Sequence, residues 1–200
     1  MNITVLGATG LTGRELVRQA LARGHVVTAV ARDPAKLDVE GVRRAAGDVR
    51  NPESMTHALA GTEVIVSALG VAKGERPGVL TAGARAVVAS GAGRVVWLGA
   101  FGAGPSAAAA GRLTRTLLKA MGDRLSDKVT ADAAILAAGG TVFHAGPLSL
   151  GPLGPGRRTV GLEDAPRRLF PARVSRATVA AAMLDEAESP RFAGRVAIPL

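Results

Sequence analysis

The stretch Gly7-Ala8-Thr9-Gly10-Leu11-Thr12-Gly13 constrains this chain more than any other. It joins a short β-branched run, Asn2 to Leu6, to a segment whose apolar residues Leu11, Leu16, Val17, Ala20 and Leu21 recur at helical spacing. Three glycines at this spacing between a strand and a helix serve one geometry. Gly7 permits the tight turn, Gly10 lets the backbone approach an anion with no Cβ in the way, and Gly13 lets the helix lie close on the strand. The helix N-terminus then offers N–H groups and the positive end of its dipole to a pyrophosphate. Together with Thr9, Leu11 and Thr12, the glycines form a candidate dinucleotide-binding turn. A turn that needed only a positive φ would explain one glycine, not three.

The rest of the first half continues the alternation. The expected order is a helix Leu11 to Ala22 closed by Arg23-Gly24, a strand His25 to Ala31, a short strand Val42 to Ala45 and a helix Pro52 to Leu59. A strand Glu63 to Ala68, a helix Val79 to Ser90 and a strand Arg94 to Leu98 follow. Strands and helices at this spacing predict βαβ units, hence an α/β fold: a Rossmann-like, doubly wound parallel sheet with helices on both faces. The second half is less regular. Phe101 to Gly111 reads as a loop, Leu113 to Ala138 as a helix broken near Gly122, and Thr141 to His144 as a sixth strand. Gly146 to Gly161 is too rich in Gly and Pro for a packed element and reads as a substrate-side loop ending in a short strand at Thr159-Val160. A helix Ser175 to Glu186, with Ser175 as N-cap, and a strand Arg195 to Ile198 complete the chain. No linker or repeat divides residues 1–200, so one domain is expected.

Composition removes several chemistries. With no Cys there are no disulfides, thiolate metal sites or cysteine nucleophiles, and with no Tyr there is no phenolic acid. The three His are scattered, so no metal site is expected, and no Gly-x-Ser-x-Gly elbow is present. The net charge of +9 could attract nucleic acid or a phosphorylated cofactor. The basic residues come singly or in pairs, such as Arg167-Arg168, and aromatics are 2%, which argues against nucleic acid. No apolar run is long enough for a membrane span, and MNITVLGATG lacks a basic n-region, so a cytoplasmic protein is expected.

The second strand decides the cofactor reading. An NAD site wants an acid at its end, to accept from the ribose 2′-OH. Here the strand ends in Arg32, a cationic fork suited to a 2′-phosphate, and Asp33-Pro34-Ala35 reads as the start of a turn. NADPH is therefore expected. Asp33 keeps NAD possible.

The G-x-x-G-x-x-G spacing resembles that of the atypical short-chain dehydrogenases/reductases, a group including NmrA-like proteins and the flavin reductase/biliverdin reductase B type. The resemblance extends to Ala31-Arg32-Asp33-Pro34, Gly47-Asp48-Val49, Ser67-Ala68-Leu69-Gly70 and Lys128 to Gly146. It implies that Arg32 lies against the 2′-phosphate, that Asp48 and Val49 border the adenine, and that Ala68, Leu69 and Gly70 pass near the nicotinamide half. Asp48 could instead merely cap the following turn.

Standard members of that superfamily use Ser, Tyr and Lys. Leu125 to Asp132 resembles the Y-x-x-x-K helix, with Leu125 taken as the Tyr position and Lys128 retained. Gly99-Ala100-Phe101 stands where the Ser is expected. Lys128 and His144 are the catalytic candidates: Lys128 touches the ribose or is an ordinary surface lysine, and His144, at the carboxyl end of its strand, is a late proton donor or merely packs. Phe101 and His144 are also read as substrate-side. His25 is read as structural and His57 as solvated. Without the usual donors, hydride could pass only to an acceptor that stabilises its own charge: a flavin, quinone or enone. The alternatives are a non-catalytic NADP(H)-binding sensor, or a cyclase or isomerase on the same fold. A small-molecule substrate and a monomer or weak homodimer are expected.

Overall fold

The computed structural model describes every residue except 73, 112, 113, 115, 117–119, 121 and 167–171. The strands are β1 (Asn2–Leu6), β2 (Val26–Ala31), β3 (Arg43–Ala46), β4 (Val64–Ser67), β5 (Arg94–Ala100), β6 (Thr141–Ala145), β7 (Leu148–Ser149), β8 (Thr159–Gly161), β9 (Val174–Ser175) and β10 (Val196–Pro199). The α-helices are α1 (Leu11–Ala22), α2 (Pro52–Ala58), α3 (Val79–Ala89), α4 (Asp123–Ala137) and α5 (Arg176–Glu188).

Eight strands form one sheet in the order β3-β2-β1-β4-β5-β6-β10-β8, parallel except where β8 runs against β10. From β1 the chain winds outward through β2 to β3, then crosses back to β4 and winds the other way. The reversal opens a crevice beyond the carboxyl ends of β1 and β4, the place where doubly wound sheets bind ligands.

The central strands are apolar without alternation because both faces are covered, whereas the edge strand β3 is Arg-Arg-Ala-Ala and mostly exposed. Ile3, Val5, Val27, Ala29, Val96 and Phe143 pack into one core with α1 and α5. Their neighbours Leu6, Val30, Ile65, Trp97 and Val142 pack into a second core with α2, α3 and α4. Helix α5 is buried along most of its length, and Gln19 of α1 donates from Nε2 to the Ala177 carbonyl at 2.9 Å. Ser175 caps α5, accepting from the Thr178 N–H at 3.0 Å.

One cap is built across helices. Asp127, buried on α4, accepts from the Leu80 and Thr81 N–H groups at 3.2 and 2.9 Å and from the Thr81 hydroxyl at 2.7 Å. Burial alone would raise this carboxyl's pKa, but the hydrogen bonds from Thr81, Leu80 and Gly78 outweigh it and hold it below the usual aspartate value. The stability this provides is present above the unfolded aspartate pKa of about 4 and is lost as pH falls through the lower folded value. Asp127→Ala should cost about 1.5–3 kcal/mol at neutral pH by chemical denaturation. The gap between variant and wild type should close in acid; a gap independent of pH would show that the carboxylate charge does not matter.

Element boundaries differ from the sequence reading by one or two residues, except in the second half. Gly146 to Gly161 is not all loop before β8, because Leu148 and Ser149 form β7 and pair in parallel with β9. Within the expected Leu113 to Ala138 helix, α4 begins after Gly122, while Leu113 lies outside the described residues, as does the Arg167-Arg168 pair. His25 precedes β2, and its Nε2 lies 2.8 Å from Glu188 Oε1, so it ties the start of β2 to the end of α5. His57 is exposed on α2.

Candidate functional site

A cleft of about 710 Å³ runs along the carboxyl ends of the parallel strands. The glycine turn forms one wall. Gly7 has φ +71°, and a Cβ there would lie 2.9 Å from the Ala68 carbonyl oxygen, so the turn and the end of β4 touch backbone to backbone. At Gly13 a Cβ would lie 2.1 Å from the Gly7 oxygen. Gly13 therefore serves helix packing and does not line the cleft, whereas Gly7, Thr9, Gly10, Leu11 and Thr12 do. Arg14 braces the turn, donating to the Thr9 and Lys36 carbonyls at 3.0 and 2.6 Å. No side chain caps α1 and its first turn carries no acid, so the positive end of the helix is left to the cleft.

Arg32, Asp48 and Val49 line one end of the cleft, and Ala68, Leu69 and Gly70 its floor. Asp33 opens a 3-10 turn at Pro34–Lys36, as its sequence context indicates. Asp48 holds its own turn as well, with Oδ1 accepting from the Arg50 N–H at 3.0 Å. Arg50, Glu75 and Arg176 also line the cleft. Their local sequence holds no signal for this, since each sits in a connection or a helix start whose place depends on the sheet.

The opposite end is walled by Leu98, Gly99, Ala100 and Ala145, with Lys128 half-buried beside them. Burial lowers the Lys128 pKa, and the charges of Asp132 and Asp127 offset this only in part. Counted four residues back from Lys128, the Tyr position of a Y-x-x-x-K helix is Arg124, not Leu125. Arg124 is exposed, and neither residue carries a hydroxyl.

Two substrate-side expectations fall outside the cleft. Phe101 lines a separate small hollow with Pro166 and Ile198. His144 is wholly buried, with Nδ1 2.6 Å from Ser106 Oγ and Nε2 3.1 Å from Asp132 Oδ2. Both ring nitrogens are engaged beneath the cleft wall, so the imidazole does not reach the cleft. The reason lies in strand register. His144 on β6 pairs with Gly99 on β5, and a Cβ at Gly99 would lie 2.7 Å from His144 Cδ2 and 2.9 Å from Asp132 Oδ2. The missing Ser is thus a steric requirement of this core. Gly99→Ser should destabilise the protein by about 1–3 kcal/mol and restore no ketone reduction. An unaltered denaturation midpoint would show that the His144–Asp132 pair yields easily.

Residues 7–190 match the NAD(P)H-binding family. The chain belongs to that family. A nicotinamide dinucleotide is the cofactor class of that family. Part of the chain is 42% identical over 69 residues to the photosystem II assembly factor Ycf39 of Cyanophora paradoxa, a match covering 33% of this chain and 22% of that protein. A stretch of 66 residues is 39% identical to the NAD(P)H azoreductase of Xenophilus azovorans, covering 32% of this chain and 23% of that one. These matches therefore span about a quarter or less of the curated relatives' length. The fold is that of ChuY, an anaerobillin reductase from Escherichia coli O157:H7, with TM-score 0.80 and 22% identity over 100% of this chain and 97% of that one. Among the described residues, no helix is long and apolar enough to cross a membrane.

Proposed function

We propose that this family member is an NADPH-dependent reductase that passes hydride to a conjugated small-molecule acceptor (a flavin, quinone or enone) without a Ser-Tyr-Lys triad. The reading rests on one observation: a single cleft joins an uncapped helix N-terminus to a far wall, Leu98 to Ala100 with Ala145, that carries no hydroxyl. The residues fit a dinucleotide. Gly10 places no side chain between the helix N-terminus and the cleft, and Arg32 offers a guanidinium where a 2′-phosphate would need one.

Bound there, the nicotinamide supplies hydride. The protein's part is binding and orientation. The turn from Gly7 to Thr12 would hold the pyrophosphate on its N–H groups, Arg32 would meet the 2′-phosphate, and Asp48 and Val49 would border the adenine. Ala68, Leu69 and Gly70 would hold the nicotinamide half, and Lys128 would reach the ribose. The apolar wall would exclude water and orient the acceptor. None of its side chains can give a proton, so the acceptor must spread the incoming charge itself and take its proton from solvent. The azoreductase name of one relative supports this, because an azo group is a conjugated acceptor. The protein is proposed to act in the cytoplasm as a monomer or weak homodimer.

A second reading, a non-catalytic NADP(H)-binding regulator, is favoured by the same donor-free wall and by a relative named as an assembly factor. NADPH consumption followed with flavins, quinones and enones separates the two. Turnover is expected. Tight cofactor binding with no consumption on any acceptor would favour the regulator.

A further inference from the structure

At the Arg32 end of the cleft, three charged side chains from separate segments converge. Arg32 directly follows β2, Arg50 lies between β3 and α2, and Glu75 lies between β4 and α3. Arg32 Nη1 pairs with Glu75 Oε1, while Arg50 Nη2 lies 3.8 Å from Glu75 Oε2 and donates to the Arg76 carbonyl at 3.0 Å. Each carboxylate oxygen thus faces a different arginine. Glu75 is the least exposed of the three, at 22% against 60% for Arg32 and 45% for Arg50. One carboxylate offsets one of the two cations and leaves a net positive charge. A phosphomonoester carries close to two negative charges near neutral pH and a third oxygen, and answers two guanidinium groups better than a carboxylate does.

We propose that Glu75 occupies the place of the cofactor's 2′-phosphate, and that NADPH binds by displacing it, with Arg50 joining Arg32 on the phosphate. The proposal rests on the reading of this cleft as the NADPH site and adds Glu75 and Arg50 as residues that set cofactor choice. Glu75 acts as an internal competitor. NADPH must break its pairs to bind, whereas NADH, with a 2′-hydroxyl, can leave them in place. Glu75 therefore narrows the preference for NADPH that the two arginines create. It also holds the arginines together when no phosphate is present.

Calorimetric titration with NADPH and with NADH, on wild type, Glu75→Gln, Glu75→Ala and Arg50→Ala, tests this. Both Glu75 variants should bind NADPH about 3- to 10-fold more tightly, the scale of losing one or two exposed ion pairs, with NADH changed less than about 2-fold. Arg50→Ala should weaken NADPH about 10-fold and leave NADH alone. The ratio of the two affinities is the decisive readout, because a merely structural effect would move both cofactors together. If the Glu75 variants leave that ratio unchanged, or weaken NADPH, displacement is wrong while the cleft reading stands. If wild type binds neither dinucleotide, the cleft reading falls and takes this proposal with it.

Discussion

Replacing Gly10 by valine should abolish NADPH binding while leaving the protein folded. Gly10 has φ −73° and ψ 165°, an extended conformation that valine adopts readily. The nearest atom to a Cβ placed there is the Gly7 oxygen at 3.3 Å, a tight contact but one that small shifts relieve. The valine methyls, however, would enter the cradle between the α1 N-terminus and the cleft, where a pyrophosphate must approach the backbone. A loss of about 100-fold or more in affinity, on the order of 3 kcal/mol, should appear by calorimetric titration. Gly13→Val is the contrasting variant. Its Cβ would lie 2.1 Å from the Gly7 oxygen, so it should lower the melting temperature sharply instead of acting on the cofactor alone. A folded Gly10→Val protein that binds NADPH like wild type would show that the pyrophosphate lies elsewhere.

The second large effect concerns acceptor chemistry. Hydride transfer to an unactivated ketone builds alkoxide charge that must meet a proton donor, and a positioned donor contributes about 10²–10⁴ in rate. The wall of Leu98, Gly99, Ala100 and Ala145 offers none. His144, read from the sequence as a proton donor, is sealed between Ser106 and Asp132. Transfer to a flavin or quinone spreads the charge over a ring, and water can supply the proton later. Steady-state rates on paired substrates should therefore favour the conjugated acceptor by about 10²–10⁴. Ser126→Ala should change the flavin rate little, and Lys128→Met should raise the KM for NADPH with little change in kcat, because neither gives the proton. Brisk reduction of an ordinary aliphatic ketone by wild type would refute this, and would mean that a donor reaches the acceptor from outside the wall.

Much of the fold was legible because its signals are local. The β-branched run of β1, the helical spacing of α1, the Ser175 cap and the Pro52 start each depend on residues a few positions apart, and each element formed within a residue or two of its expected bounds. The glycine turn was legible for the same reason, since the requirement for no Cβ is written in residue type. Where expectations failed, the deciding contact was distant in sequence. β7 exists because β9, some 25 residues later, pairs with it, and a Gly/Pro-rich segment carries no trace of that partner. His144 stands at the carboxyl end of a strand, as active-site residues of such sheets do, yet its side chain turns under the wall. The direction was decided by Asp132 on α4 and by the missing Cβ at Gly99 on β5.

The amino-acid order alone thus determined the strand–turn–helix with its three glycines, the cation directly after β2 and the absence of any phenol or thiol. These are properties of residue identity and short-range spacing, which backbone geometry translates directly. Tertiary packing decided which side chains share the cleft. Arg32, Arg50 and Glu75 lie on three connections, and only the winding of β2, β3 and β4 about the switch point brings two arginines onto one carboxylate. Charge pairing across such distances costs chain entropy that the packed sheet has already spent, and no local pattern in the sequence records it.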